Sequence, residues 1–262
     1  MVFNPVNKSL DEFFKRKLGG NFIPENKAVS VITCTNQSDS LKNILSNFQR
    51  QNYPRKELII IINNNDEIRL EEWIDKSKEY DNVSVYKLDG RLSLGKCLNF
   101  GVSKAIYGTI AKFDDDDYYG PGYLSEITGY FDITKAKLIG KAGTFVYLVE
   151  SKLLTVRNLY EENRYTNFVN GGTLVFKKEI FSRVTFRDIT VGEDIAFCND
   201  CLKKNILIYS CSRFNYAYIR HPSKDKHTWI IDDDALIKLC CRPDLYKKKV
   251  ERIDVLKDYV DR

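Results

Sequence analysis

Glu57-Leu58-Ile59-Ile60-Ile61-Ile62 is the stretch from which the architecture can be read. No polar residue interrupts Leu58 to Ile62, so this segment has no face suited to water. Short, β-branched runs of this kind belong to strands covered on both faces of a parallel sheet. No apolar run in the chain is longer, and this one is far short of the roughly 20 residues that cross a bilayer. Upstream, Val29-Ser30-Val31-Ile32-Thr33 reads as another short strand. Between the two, Leu41, Ile44, Leu45 and Phe48 fall at helical spacing in 40–51, and Pro54 stops that helix. Downstream, the pattern predicts a helix over 69–79, a strand over 83–87, a helix over 95–107 and a strand over 109–113. Such alternation implies βαβ units and a twisted, mainly parallel sheet flanked by helices. Ahead of it, Ser9 and Glu12 form a capping pattern for a helix that Gly19-Gly20 ends.

After Asp117 the rhythm changes. The sequence predicts a hairpin over 144–156, a strand over 172–176, a helix over 194–204, a strand over 206–209, and a polar helical tail from Asp244. No internal repeat or low-complexity linker divides the chain, which points to a single domain over 1–262.

Composition narrows the function classes. Of 262 residues, 43% are hydrophobic and 13% aromatic, enough for a packed core and unlike a disordered chain. The net charge is 41 − 36 = +5, spread along the chain except at Lys247, Lys248 and Lys249. A nucleic-acid binder concentrates its basic residues on one stripe, so nucleic acid is not an expected partner. The mild excess fits anionic small substrates, or peripheral contact with an anionic membrane surface. Met1-Val2-Phe3-Asn4-Pro5 lacks a signal-peptide pattern, so the expected location is cytoplasmic, including the inner face of the membrane. Seven cysteines in such a setting are expected to be reduced thiols. Cys198 and Cys201 form a C-x-x-C without a second Cys/His pair at zinc spacing, and read as structural.

Chemistry concentrates in three places. Phe113-Asp114-Asp115-Asp116-Asp117 follows the strand over 109–113, so its carboxylates land at the carboxyl end of the sheet. Open α/β sheets bind ligands there. Carboxylates this crowded repel one another unless a cation or hydrogen bonds offset the charge, and hard oxygens suit Mg²⁺ or Mn²⁺. A solvated acidic loop is the bland reading, and placement directly after a strand weighs against it. Gly192-Glu193-Asp194 opens a helix, where acidic residues are also favoured by the helix dipole. Arg220-His221-Pro222 and His227-Thr228-Trp229 hold the two histidines of the chain, either of which suits a metal, a phosphate or simply the surface.

In combination these segments resemble a known family. Val29 to Thr33, Gln51-Asn52-Tyr53-Pro54 and the Glu57 strand look like the opening of a family-2 glycosyltransferase of the GT-A fold. Leu92-Ser93-Leu94-Gly95-Lys96-Cys97-Leu98-Asn99-Phe100-Gly101 is similar to that family's glycine- and asparagine-bearing helix ahead of its metal site. Phe113 to Asp117, trailed by Pro121 and Leu124, resembles the DXD motif, and Gly192-Glu193-Asp194 resembles the ED motif. The resemblance runs from Val29 to at least Asp194. It departs at Ile62-Asn63-Asn64-Asn65-Asp66, where the family usually carries two aspartates, and in having four aspartates at the metal motif. The tail also lacks the long hydrophobic stretch of the processive membrane synthases that resemble this domain.

The resemblance implies a Rossmann-like α/β GT-A domain with a nucleotide-binding half over 29–117, an acceptor-binding half over 118–240 and a helical tail over 241–262. It implies an inverting enzyme that moves one sugar from a nucleotide diphosphate sugar, UDP- or dTDP-linked, to an acceptor hydroxyl. The acceptor class spans glycans, lipid-linked and protein acceptors in bacterial polysaccharide or glycoconjugate synthesis, and the oligomeric state is open. By the same resemblance Asp116 binds Mn²⁺ or Mg²⁺ with His221 as a further ligand. Thr33, Thr35, Asn63, Lys96, Asp114 and Asp115 fall to the nucleotide. Asp194 is the base, and Glu193 orients it or the acceptor. Arg220 and His227 join His221 in a loop over the diphosphate. A sugar nucleotidyltransferase is a rival, but Thr35-Asn36-Gln37-Ser38 is not its Gly-rich basic loop. The other rival is a nucleotide-sugar- or glycan-binding protein on an inactive transferase fold, which intact Asp116 and Asp194 disfavour.

Overall fold

The computed structural model describes residues 27–64, 68–222, 232–240 and 246–262. The helix expected after Ser9 lies outside these residues, as do Asn65, Asp66 and His227.

Strand β1 (Val29–Thr35), helix α1 (Leu41–Gln49), β2 (Lys56–Asn63), α2 (Leu70–Ser77), β3 (Val83–Leu88), α3 (Leu94–Lys104) and β4 (Thr109–Lys112) follow the alternation expected. Strands β1, β2, β3 and β4 pair in parallel, with Val31 opposite both Leu58 and Ala111. The unbroken apolar run of β2 feeds two cores. Leu58, Ile60 and Ile62 pack with Leu41, Ile44, Leu45, Phe48 and Trp73 on one face. Ile59 and Ile61 pack with Cys97, Leu98 and Val102 on the other. Each such buried side chain contributes about 1.5–3 kcal/mol relative to exposure.

Beyond β4 come β5 (Tyr118–Tyr119), α4 (Tyr123–Ile133), β6 (Leu138–Gly140), β7 (Thr144–Leu148), β8 (Leu153–Arg157), β9 (Arg164–Thr166) and β10 (Val175–Lys177). Then follow α5 (Glu193–Lys203), β11 (Ile208–Ser210), β12 (Tyr216–Arg220), α6 (Asp233–Cys240), β13 (Lys247–Lys249) and α7 (Lys257–Val260). The main sheet has the order β3-β2-β1-β4-β10-β6-β11-β9, and β10 runs antiparallel to both neighbours. A second sheet, β13-β8-β7-β12-β5, contains the expected hairpin as β7 and β8.

Three expectations are corrected. The strand expected over 172–176 begins at Val175, because Gly171–Thr173 form a 3-10 turn. The strand expected over 206–209 is displaced to Ile208–Ser210. The tail is not uniformly helical: Lys247–Lys249 form an edge strand against β8, and Val250, Leu256 and Val260 pack with Phe145 and Leu154. Exposed lysines on an edge strand discourage pairing with another chain. Cys198 and Cys201 are buried free thiols in the core, as their structural reading requires. Among the described residues no helix is long and apolar enough to cross a membrane.

Candidate active site

Because β1 and β4 are parallel neighbours, with Ile32 opposite Lys112, their carboxyl ends deliver Thr35 and the acidic turn to one place. A cleft of about 560 Å³ opens there. One wall carries Thr35, Asn63, Lys112, Asp114, Asp115 and Asp116. The other carries Asn170, Gly171, Gly172, Glu193 and Asp194, with Thr144, Arg157, Tyr216 and Tyr218 beside them.

The acidic turn is held by its backbone. From α1, the Asn43 side-chain amide donates to the Asp115 carbonyl at 2.9 Å and the Asp117 carbonyl at 3.0 Å, and the Asn47 amide to the Asp117 carbonyl at 2.8 Å. The Asp114 N–H donates to the Tyr119 hydroxyl at 2.7 Å, and that hydroxyl donates to the Gly172 carbonyl at 2.6 Å. The Tyr119 ring stacks on Phe113 with centroids 3.7 Å apart. With the backbone pinned, the carboxylates point where the turn aims them.

They do not share one role. Asp117 is buried, accepts the Tyr216 hydroxyl proton, and takes the Ile219 N–H at 3.0 Å, so it ties β12 to the turn. Burial, reinforced by Asp114, pushes its carboxyl up to about 8 despite these donors. Asp115 accepts from the Thr35 hydroxyl; burial lifts it to about 6 against that bond. Burial, then repulsion from Asp117, Asp115 and Asp114, raises Asp116 well above the usual carboxylate range. Lys112 lies beneath, buried, with its ammonium 2.5 Å from Asp114. Burial alone would lower Lys112, but Asp114, Glu193 and Asp194 outweigh it and the ammonium stays charged.

Two glycines join the walls. An added Cβ on Gly172 would sit 2.8 Å from Asp114 Oδ2, Asp117 Oδ2 and the Tyr216 hydroxyl, and one on Gly171 would sit 2.7 Å from Asp194 Oδ2. The turn Gly171–Thr173 thus passes between the acidic turn and Asp194 where side chains have no room. Asp194 follows Gly192, whose φ of +79° is the left-handed conformation that glycine adopts without strain. The Asp194 carboxylate accepts the Ile195 N–H at 2.7 Å.

Glu193 is buried beside Lys112 and Asp194. Burial pushes it up to about 7, against the pull of Lys112 and with Asp194 adding to the rise. A carboxyl raised from 4.5 holds its proton more tightly folded than unfolded, so its stabilising contribution is complete below pH 4.5 and fades as pH rises through about 7. The cation-free protein should therefore melt at a lower temperature at about pH 8 than at about pH 5, and Glu193→Gln should flatten part of that slope. A melting profile for Glu193→Gln parallel to the parent's would put the titrating group elsewhere.

The cleft therefore brings together Thr35, Asn63, Asp114, Asp115, Asp116, Glu193 and Asp194 from the sequence expectations. Thr33 is buried within β1, and His221 follows β12; neither is among the lining residues. Lys96 pairs with Asp188 at 2.8 Å, also away from the lining. Gly171-Gly172, Arg157 and Tyr218 lie outside the sequence expectations; the paired glycines are the visible signal, with Gly172 read only as the start of a strand.

Residues 30–183 match the family described as Glycosyl transferase family 2. A similar curated protein is the poly-beta-1,6-N-acetyl-D-glucosamine synthase of Staphylococcus aureus strain MSSA476, 29% identical over 181 residues, covering 63% of this chain and 43% of the relative. Another is the O-antigen biosynthesis glycosyltransferase WbnJ of Escherichia coli, 32% identical over 165 residues, covering 58% of this chain and 62% of the relative. The match thus spans less than half of the synthase and under two thirds of WbnJ. Among solved structures, S. aureus TarS in complex with UDP-GlcNAc superposes with a TM-score of 0.62 at 15% identity, over 81% of this chain and 64% of that one. TarS in complex with UDP gives 0.58 at 17% identity, over 75% and 61%. These superpositions share the mixed α/β sheet and its flanking helices. With more than half its length inside the family match and the acidic turn at the sheet's carboxyl edge, this chain belongs to glycosyl transferase family 2.

Proposed function

We propose that this protein transfers one sugar, with inversion, from a pyrimidine nucleoside diphosphate sugar to an acceptor hydroxyl in the assembly of a polysaccharide or glycoconjugate. One observation carries the reading: Asp114 to Asp116 and Asp194 line a common cleft, with Gly172 against Asp114 and Gly171 against Asp194. A charged leaving group and a proton acceptor can then be served at once. The relatives named for polysaccharide synthesis and the fold shared with a UDP-GlcNAc complex support it.

The donor set of the acidic turn is all hard oxygen, with burial first and mutual repulsion second raising its carboxyls, and so fits Mg²⁺ or Mn²⁺. Asp116, with Asp114, would hold the ion. Among the described residues no three His, Cys, Asp or Glu side chains form a ready-made cage. That suits a cation bound through one or two carboxylates and completed by substrate phosphates. When bound, it supplies charge stabilisation to the departing diphosphate. Asp194 removes the acceptor hydroxyl proton as that oxygen attacks the anomeric carbon opposite the diphosphate. Lys112 keeps a fixed positive charge beneath both carboxylate groups.

Asn63 reads the base. Its side-chain N–H donates to the Asp89 carbonyl at 2.8 Å, which leaves the amide oxygen to accept an N–H from a base edge. Uracil and thymine present one N–H there, and a purine needs more room. UDP or dTDP should bind more tightly than GDP in calorimetry with Mn²⁺; equal or tighter GDP binding would show that the base is read elsewhere. For the activity itself, a panel of UDP-, dTDP- and GDP-sugars is screened for Mn²⁺-dependent thermal stabilisation and nucleotide release. Release from none of them, in a well-folded protein that binds UDP, would instead favour a binding protein.

A further inference from the structure

The segment 184–192, which leads into Glu193 and Asp194, belongs to no helix or strand. Within it, the Ile189 N–H donates to the Arg187 carbonyl at 2.8 Å. Phe186 is buried and stacks on Phe197 of α5 with centroids 4.2 Å apart, and polar anchors come from the first turns of α3. The Asn99 side chain brackets Phe186, with Nδ2 donating to the carbonyl at 2.8 Å and Oδ1 accepting the N–H at 3.0 Å. The Gly95 N–H donates to the Ile189 carbonyl at 3.1 Å, and the Leu94 N–H to Thr190 Oγ1 at 3.4 Å. Ser93 Oγ donates to Asp188 Oδ1 at 2.7 Å, and the Lys96 ammonium meets Asp188 Oδ2 at 2.8 Å. An added Cβ on Gly95 would stand 1.8 Å from the Arg187 carbonyl oxygen. From the other side, the Arg187 guanidinium grips Asp200 of α5 through two bonds, at 2.7 and 2.6 Å.

We propose that Asn99 and Gly95 are positioning residues: they dock the 184–192 segment on α3 and so set where Asp194 stands against the donor. The inference rests on the assignment of Asp194 as the base. The bonds from α3 have a chemical logic. The first N–H groups of a helix have no intrahelical acceptor, and here Gly95 and Leu94 direct two of them to this segment. Asn99 supplies the paired donor and acceptor that a neighbouring strand would otherwise offer Phe186. The Lys96–Asp188 pair is exposed on both sides and adds little by itself. The nucleotide half of the sheet and the base-bearing turn are thereby set by one helix. Displacement of a catalytic group by about 1 Å costs on the order of 10²-fold in rate.

The test uses the full chain carrying Asn99→Ala, with Gly95→Ala as the second variant because it displaces the same segment without altering Asn99. Hydrogen exchange over 184–195 is measured with and without UDP and Mn²⁺, alongside UDP affinity by calorimetry and turnover with the donor from the panel. Asn99→Ala should accelerate exchange in that segment by about tenfold or more, leave UDP affinity within about threefold, and lower kcat by about 10–10²-fold with little change in donor KM. Gly95→Ala should reproduce the pattern. Unchanged exchange in both variants would overturn the docking. Loss of UDP affinity with unchanged exchange would overturn the docking role and place Asn99 at the nucleotide instead. Fast exchange with kcat intact would show that the segment does not set the base. Faster exchange in a chain whose parent transfers no sugar would leave the docking standing and remove the activity instead.

Discussion

Asp194→Asn should lower turnover by about 10²–10⁴-fold while UDP affinity stays within about twofold, because general-base assistance is worth that much and the donor does not need it. The substitution is nearly isosteric. Its amide oxygen can still accept the Ile195 N–H, so the first turn of α5 keeps that bond. Melting temperature is the control, and a large drop would mean that the side chain was structural. Glu193→Gln is the comparison. Glu193 is buried against Lys112, whereas Asp194 is partly open to the cleft and lies against the space above Gly171. Turnover lost in Glu193→Gln and kept in Asp194→Asn would place the base one residue earlier. Turnover kept in both would leave this stretch as a helix start and nothing more.

Asp116→Asn should weaken Mn²⁺-dependent UDP binding by about 10²-fold or more, since even outer partners of metal ligands cost about 10–100-fold when removed. Binding of UDP without the cation should change little. Asp117→Asn makes the contrast. Its carboxyl is turned away from the cleft toward Tyr216 and Ile219 and is not among the lining residues, so in protein that still folds the cation-dependent part of binding should survive. Calorimetry of both variants with UDP, with and without Mn²⁺, separates them. Unchanged cation-dependent affinity in Asp116→Asn would remove the metal assignment.

Much of this was legible in the chain. The apolar run of β2 announced a strand covered twice, and its odd and even residues do enter different cores. The carboxyl-edge placement of the aspartates followed from the strand before them. Which of the four would face the cleft did not, because Asp117 is turned inward by Tyr216 and Ile219, some hundred residues downstream. The partner of Lys96 was hidden for a similar reason: Asp188 arrives by tertiary packing, and no local spacing reveals it. Gly171-Gly172 carried a visible signal, of which periodicity alone placed Gly172 in a strand. The lysines of β13 read as a polar helix because the apolar residues beside them, Val250 and Leu256, find their partners on other strands.

Asp117 has a bearing on recombination between relatives. It stands where the chain leaves the main sheet for the second one, and its two acceptor oxygens are met by residues of β12 alone in that sheet. A crossover placed between β5 and β12 would inherit the aspartate from one parent and its hydroxyl partner from the other. Hybrids that supply phenylalanine at position 216 would strand a buried carboxyl and should be lost from a library selected for folding, however well the remaining interface matches. Breakpoints ahead of Phe113, or beyond Arg220, keep donor and acceptor in one parental block and should dominate the survivors.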